Sequence, residues 1–132
     1  MTETAAPPAT PFEALGGRET IERFVERFYD LMDSEAEFAE LRAMHAPDLA
    51  PMRQSLAGFI TGWAGGPRDW FEQNPGKCMM SAHKDIAATK VTVIQWINCM
   101  TRAVSDCGME DDDLAQEMLE RFTMMARPMA KD

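Results

Sequence analysis

Glu19-Thr20-Ile21-Glu22-Arg23-Phe24-Val25-Glu26-Arg27-Phe28-Tyr29-Asp30-Leu31-Met32 is the stretch that decides the fold class. Ile21, Phe24, Val25, Phe28, Tyr29 and Met32 recur at three- and four-residue spacing, so they share one stripe of a helix. Glu19, Glu22, Arg23, Glu26 and Asp30 fall on the opposite, solvated face. A stripe this apolar requires partners, and the rest of the chain supplies them in the same periodicity. Val91 to Ile97 is β-branched in places, but its apolar positions continue at helical spacing to Val104, so it too reads as helix.

Upstream, Thr10-Pro11-Phe12-Glu13 combines an N-cap threonine, a proline at the first helical position and a glutamate three residues after the cap. Gly16-Gly17 stops that short helix. Downstream, Ser34-Glu35-Ala36-Glu37 reads as a second capping box, opening a short helix towards Met44. His45-Ala46-Pro47-Asp48 turns the chain. Pro51 suits the first turn of the next helix, whose stripe is Met52, Leu56, Phe59, Ile60 and Trp63. Gly58 inside it lowers helix propensity, and the close approach of another backbone or of a flat ligand is the expected reason for it. Gly65-Gly66-Pro67 ends this helix.

Residues 67–83 are broken by Pro67, Asn74, Pro75 and Gly76 into short helical turns, such as Asp69–Gln73 and Cys78–Lys84. They carry Trp70, Phe71, Met79 and Met80, so they must pack on something else. A long helix from Lys90 to Asp106 follows, with Val93, Ile97, Met100 and Val104 on its stripe and Trp96, Cys99 and Ala103 widening it. Gly108 ends it. Asp111-Asp112-Asp113 suits the positive end of a last helix, with Leu114, Met118, Phe122, Met125 and Met129 facing inward. The expected architecture is all-α: four substantial helices with broken connections, packed two against two. Residues 11–132 read as a single domain and residues 1–10, rich in Ala, Pro and Thr, as a flexible tail.

The balance of charge excludes some functions. A net charge of −9 provides no basic footprint for nucleic acid or an anionic membrane surface. No apolar run is long enough to span a membrane, and the first residues lack the basic-then-apolar order of a signal peptide. Cys78, Cys99 and Cys107 are odd in number and have no framework spacing, which points to a reducing, cytoplasmic setting. There is no C-x-x-C-H for covalent haem attachment and no P-loop, G-x-S-x-G or H-E-x-x-H.

The chemistry then rests on few side chains. The chain has only two histidines, His45 and His83. His83 ends Lys77-Cys78-Met79-Met80-Ser81-Ala82-His83, between two longer helices. A neutral imidazole there can bind a haem iron from one side, or it can simply cap or fill a short helix. Tyr29, the only tyrosine, lies on the buried stripe, where a phenol needs either a core carbonyl or a ligand to bond. Trp96 can only donate, again to the core or to an anionic ligand. The methionines read as adaptable packing.

Taken together in order, Tyr29, Gly65-Gly66-Pro67, His83 and Trp96 resemble the truncated haemoglobins, the two-over-two helical globins, and among them group II. The resemblance runs from about residue 11 to about residue 130 and includes Gly16-Gly17, Arg27-Phe28-Tyr29, Leu41-Arg42-Ala43-Met44-His45 and Gln95-Trp96-Ile97-Asn98-Cys99-Met100. It implies haem b as cofactor, with His83 as the metal ligand. It gives Tyr29, Trp96 and His45 distal roles beside a bound dioxygen or other diatomic ligand. It places Met52, Leu56, Phe59, Ile60, Met79 and Ile86 against the haem, with Trp96. The usual pair of arginines before the proximal histidine is missing here, which leaves Arg53, Lys77 or Lys84 to pair the haem propionates. The activities implied are nitric oxide dioxygenation or peroxide turnover, supplied by a reductase, in preference to oxygen delivery. A gas sensor or reservoir without turnover, and a helical binding module that has lost haem, are the alternatives. Monomer and homodimer are both compatible with the resemblance.

Overall fold

Thr10 starts the first helix as its composition demands: the hydroxyl oxygen accepts from the Glu13 amide at 3.2 Å, and Pro11 opens α1 (Pro11–Leu15). Gly16 then closes it in the left-handed region, at φ 111°, where a side chain would be strained. The computed structural model describes residues 10–76 and 86–132. The expected turn Cys78–Lys84 therefore lies outside the described residues. Among these, all regular structure is helical.

The chain reverses straight into α2 (Gly17–Ser34), which is longer at both ends than its stripe requires. Ile21, Phe24, Val25 and Phe28 are fully buried, and Tyr29, Leu31 and Met32 nearly so. The capping box expected at Ser34 does not form. Ser34 is the last residue of α2, and its hydroxyl donates back to the Asp30 carbonyl at 2.8 Å. A 3₁₀ turn, Ala36–Phe38, and a single-turn α3 (Ala39–Ala43) follow in place of one continuous short helix. Phe38 and Leu41 anchor these turns in the core.

α4 (Ala50–Trp63) and α5 (Asp69–Gln73) are fitted to each other by glycine. A Cβ on Gly62 would stand 2.6 Å from the Phe71 ring, and one on Gly58 would stand 3.2 Å from the Trp70 Cβ. Gly58 therefore makes room for an aromatic side chain, not for the backbone or flat ligand that its position in the sequence suggested. Trp70 and Phe71 are what the broken segment packs with: Trp70 stands edge-on to both Phe71 and Phe59, and Phe71 lies tilted against Phe59.

α6 (Lys90–Asp106) is held at its start by a true capping box, in which Thr89 and Thr92 each bond the other's backbone amide. α7 (Asp113–Ala126) starts on Asp112, whose carboxylate accepts from the Leu114 and Ala115 amides. A short 3₁₀ turn, Arg127–Met129, follows, and the Lys131 amide donates to the Ala88 carbonyl beside the start of α6. α2 packs on both α4 and α6, and α6 on α7, which gives a two-over-two helical sandwich. The Cys99 thiol, with no solvent exposure, donates to the Phe28 carbonyl at 3.2 Å across the α2–α6 seam. Burial pushes that thiol up to about 12, so it is an inert part of the core.

Candidate functional site

The sandwich does not close on itself. A cavity of about 470 Å³ opens between α2, α4 and α6, with α5 and the end of α7 completing its wall. Leu41, Leu56, Phe59, Val93, Phe122 and Ala126 make most of it apolar, and Met44, Met52, Met125 and Met129 add four flexible thioethers. At its rim Met44, Met52 and Ile86 are 36–39% exposed, more than large apolar side chains favour without something to cover them.

The polar groups in this wall divide into two kinds. The Trp70 indole donates to the Ser55 hydroxyl at 3.0 Å, and the Asn74 amide donates to the Trp70 carbonyl at 2.8 Å. Those donors are spent on the protein. Tyr29 and Trp96 also line the cavity, and no described residue is hydrogen-bonded to the Tyr29 hydroxyl or the Trp96 indole. Tyr29 sits on α2, with its ring edge-on to Phe28 at 4.9 Å, and Phe28 is in turn edge-on to Trp96 at 5.3 Å. A fully buried phenylalanine thus spaces the two donors and fixes them from separate helices. Burial raises the Tyr29 phenol well above its ordinary 10.0, against a smaller opposite effect of Arg53, so it stays a proton donor at any physiological pH.

His45, in the turn after α3, brings its ring to 6.1 Å from that of Tyr29, edge to face. Its Nδ1 lies 2.9 Å from the Leu41 carbonyl oxygen. A carbonyl can only accept, so Nδ1 carries the proton of this bond.

The remaining site residues read from the sequence are distributed as follows. Met52, Leu56, Phe59 and Ile86 are in the cavity wall. Ile60 is fully buried in the core behind it. Arg53 stands outside the wall, paired with Glu26 and Asp30. His83, Lys77, Met79 and Lys84 lie outside the described residues. Among those described, no cluster of metal-ligating side chains occurs. Sequence reasoning did not place Trp70, Ser55, Phe122, Met125 and Met129 at the cavity. For Met125 and Met129 a signal existed, since they continue the inward stripe of α7.

The arrangement suits a flat, largely apolar group. It has the volume of a small-molecule site, an apolar rim that such a group would cover, and two unspent donors facing the space over it. Haem fits that description on the residues present.

Comparison with known proteins agrees. The chain is 25% identical to a group 2 truncated hemoglobin of Bacillus subtilis over 119 residues, covering 90% of this chain and 86% of that one. Its structure is similar to the group II 2-on-2 hemoglobin of Agrobacterium tumefaciens, at TM-score 0.89 and 26% identity, covering 97% of this chain and 98% of that one. It is also similar to a cold-adapted truncated hemoglobin from the Antarctic marine bacterium Pseudoalteromonas haloplanktis, at TM-score 0.84 and 27% identity, over 93% and 98% of the two chains. Residues 10–131 match the bacterial-like globins as a family, and the chain belongs to that family, with the two-over-two fold of the truncated haemoglobins.

Proposed function

We propose that the protein is a b-type haem protein that binds dioxygen and other diatomic ligands, with His83 as the iron ligand and Tyr29, Trp96 and His45 on the opposite side. The observation that carries this reading is the pair of cavity donors, Tyr29 and Trp96, that no described residue uses. Haem, when bound, supplies a redox-active iron with an open position for a diatomic ligand.

The chain's own residues do the rest. The Tyr29 hydroxyl and the Trp96 indole donate towards the negative charge that builds on a ligand, from a largely apolar wall whose low polarity strengthens both bonds. His45, its Nδ1 tied to the Leu41 carbonyl, stands edge to face with the Tyr29 ring and walls the phenol's side of the cavity. The methionine-rich wall adapts its shape to the group it holds. Two donors favour long retention of a ligand. That suits chemistry on the ligand, such as nitric oxide dioxygenation or peroxide reduction fed by a reductase, better than oxygen delivery.

Rapid-mixing measurements decide between the two uses. Consumption of nitric oxide by the oxygenated protein, or reduction of peroxide, should outpace spontaneous release of dioxygen. Release that is faster than either reaction would favour delivery and overturn the redox assignment.

A further inference from the structure

Arg53 follows the cavity-lining Met52 on α4, and its guanidinium turns to α2. Nη1 donates to the Glu26 carboxylate at 2.8 Å and to the Glu26 carbonyl at 3.1 Å, and Nη2 donates to Asp30 at 2.9 Å. Glu26 and Asp30 are one helical turn apart, and Tyr29 belongs to that same turn. The guanidinium carbon lies 5.8 Å from the centroid of the Tyr29 ring. The arginine is the more enclosed partner, its side chain 21% exposed against 56–57% for the two carboxylates. A pair of freely solvated ions would contribute little. A planar fork that grips two carboxylates and a backbone carbonyl while lying on a ring fixes geometry, which lysine cannot reproduce.

We propose that Arg53 is a positioning residue for Tyr29: by clamping the turn of α2 that carries the phenol and packing on its ring, it holds the hydroxyl's aim into the cavity. This rests on the reading of Tyr29 as a ligand donor, but the clamp itself exists without any ligand. Arg53 thereby acts on a bound ligand through Tyr29, not through direct contact. The cation also opposes the rise of the phenol's pKa that burial causes.

The chain's single tyrosine makes the test selective. The full chain labelled with 3-fluorotyrosine gives a ¹⁹F signal from Tyr29 alone. Arg53→Met should shift and broaden that signal, with and without hemin, as the ring gains freedom. Glu26→Gln with Asp30→Asn should do the same while leaving the arginine in place. In the hemin-loaded protein, Arg53→Met should speed ligand dissociation by about 2- to 5-fold, the size of one cation–ring contact. It should have no effect on dissociation in a Tyr29→Phe background, and Arg53→Lys should restore only part of the loss. A ¹⁹F signal unchanged by either set of substitutions would overturn the proposal. So would an acceleration by Arg53→Met that is as large in the Tyr29→Phe background as in the parent. If hemin fails to bind, the haem reading fails, while the ¹⁹F comparison still tests the clamp.

Discussion

Replacing Tyr29 by phenylalanine separates a donor kept for a ligand from a donor kept for the fold. The substitution removes one hydroxyl and leaves the ring, its edge contact with Phe28 at 4.9 Å and its approach to Arg53 at 5.8 Å. No described residue bonds that hydroxyl, so folding loses no hydrogen bond to any of them. The change in unfolding free energy should stay within about 0.5 kcal/mol, less than one ordinary hydrogen bond contributes. A ligand that carries partial negative charge loses much more. A bond to a charged acceptor contributes about 1.5–3 kcal/mol, which corresponds to roughly 10- to 100-fold faster dissociation. Urea titration of the protein measures the first quantity, and stopped-flow displacement of dioxygen by carbon monoxide measures the second. A variant destabilised by more than about 1.5 kcal/mol with an unchanged dissociation rate would show that the phenol serves the core, and the reasoning would fail.

The packing of α5 on α4 gives another expectation. Gly62→Ala pushes a methyl into the Phe71 ring, and overpacking of about 1–3 kcal/mol outweighs a helix-propensity gain of up to about 1 kcal/mol. Thermal unfolding should move down by about 5 °C, and adding Phe71→Leu should recover part of this; a higher midpoint for Gly62→Ala alone would contradict the contact. Alkaline pH provides a third test. Cys99 is raised from 9.0 to about 12 and Tyr29 is raised above 10.0, so the unfolded chain gives up these protons first as pH climbs. Their contribution to stability is complete below pH about 9 and is lost progressively above it. Urea midpoints should fall from about pH 9 upward, less steeply in Cys99→Ala, and a flat profile would refute the burial of both groups.

The stripe of α2 was legible because its buried positions follow one period over the whole helix, and the acidic start of the last helix because end charges and caps act within a few residues of their own sequence, although which of Asp111, Asp112 and Asp113 caps it was not read. Ser34 misled for the same local reason. Its sequence supports a cap, but its hydroxyl bonds back to Asp30 and the helix continues past the expected break. The box at Thr89 and Thr92 was missed because threonine, not glutamate, supplies the returning side chain. Tyr29, Trp96 and His45 could be named from resemblance and burial, and the structure brings all three to one cavity. What could not be read is how helices register against one another. That register sends Trp70 over Gly58 and its indole to Ser55, and it sets Arg53 against Glu26 and Asp30. Such pairings join residues 12 to 27 positions apart and leave no mark in local periodicity.

Titration of the purified protein with hemin, followed in the visible spectrum and repeated on His83→Ala, addresses the central assignment most directly. Stoichiometric uptake with a sharp Soret band and a ferrous–carbon monoxide spectrum typical of histidine ligation, lost or displaced in the variant, is the result expected. A protein that ignores hemin, or a His83→Ala variant with the same spectra as the parent, would contradict it.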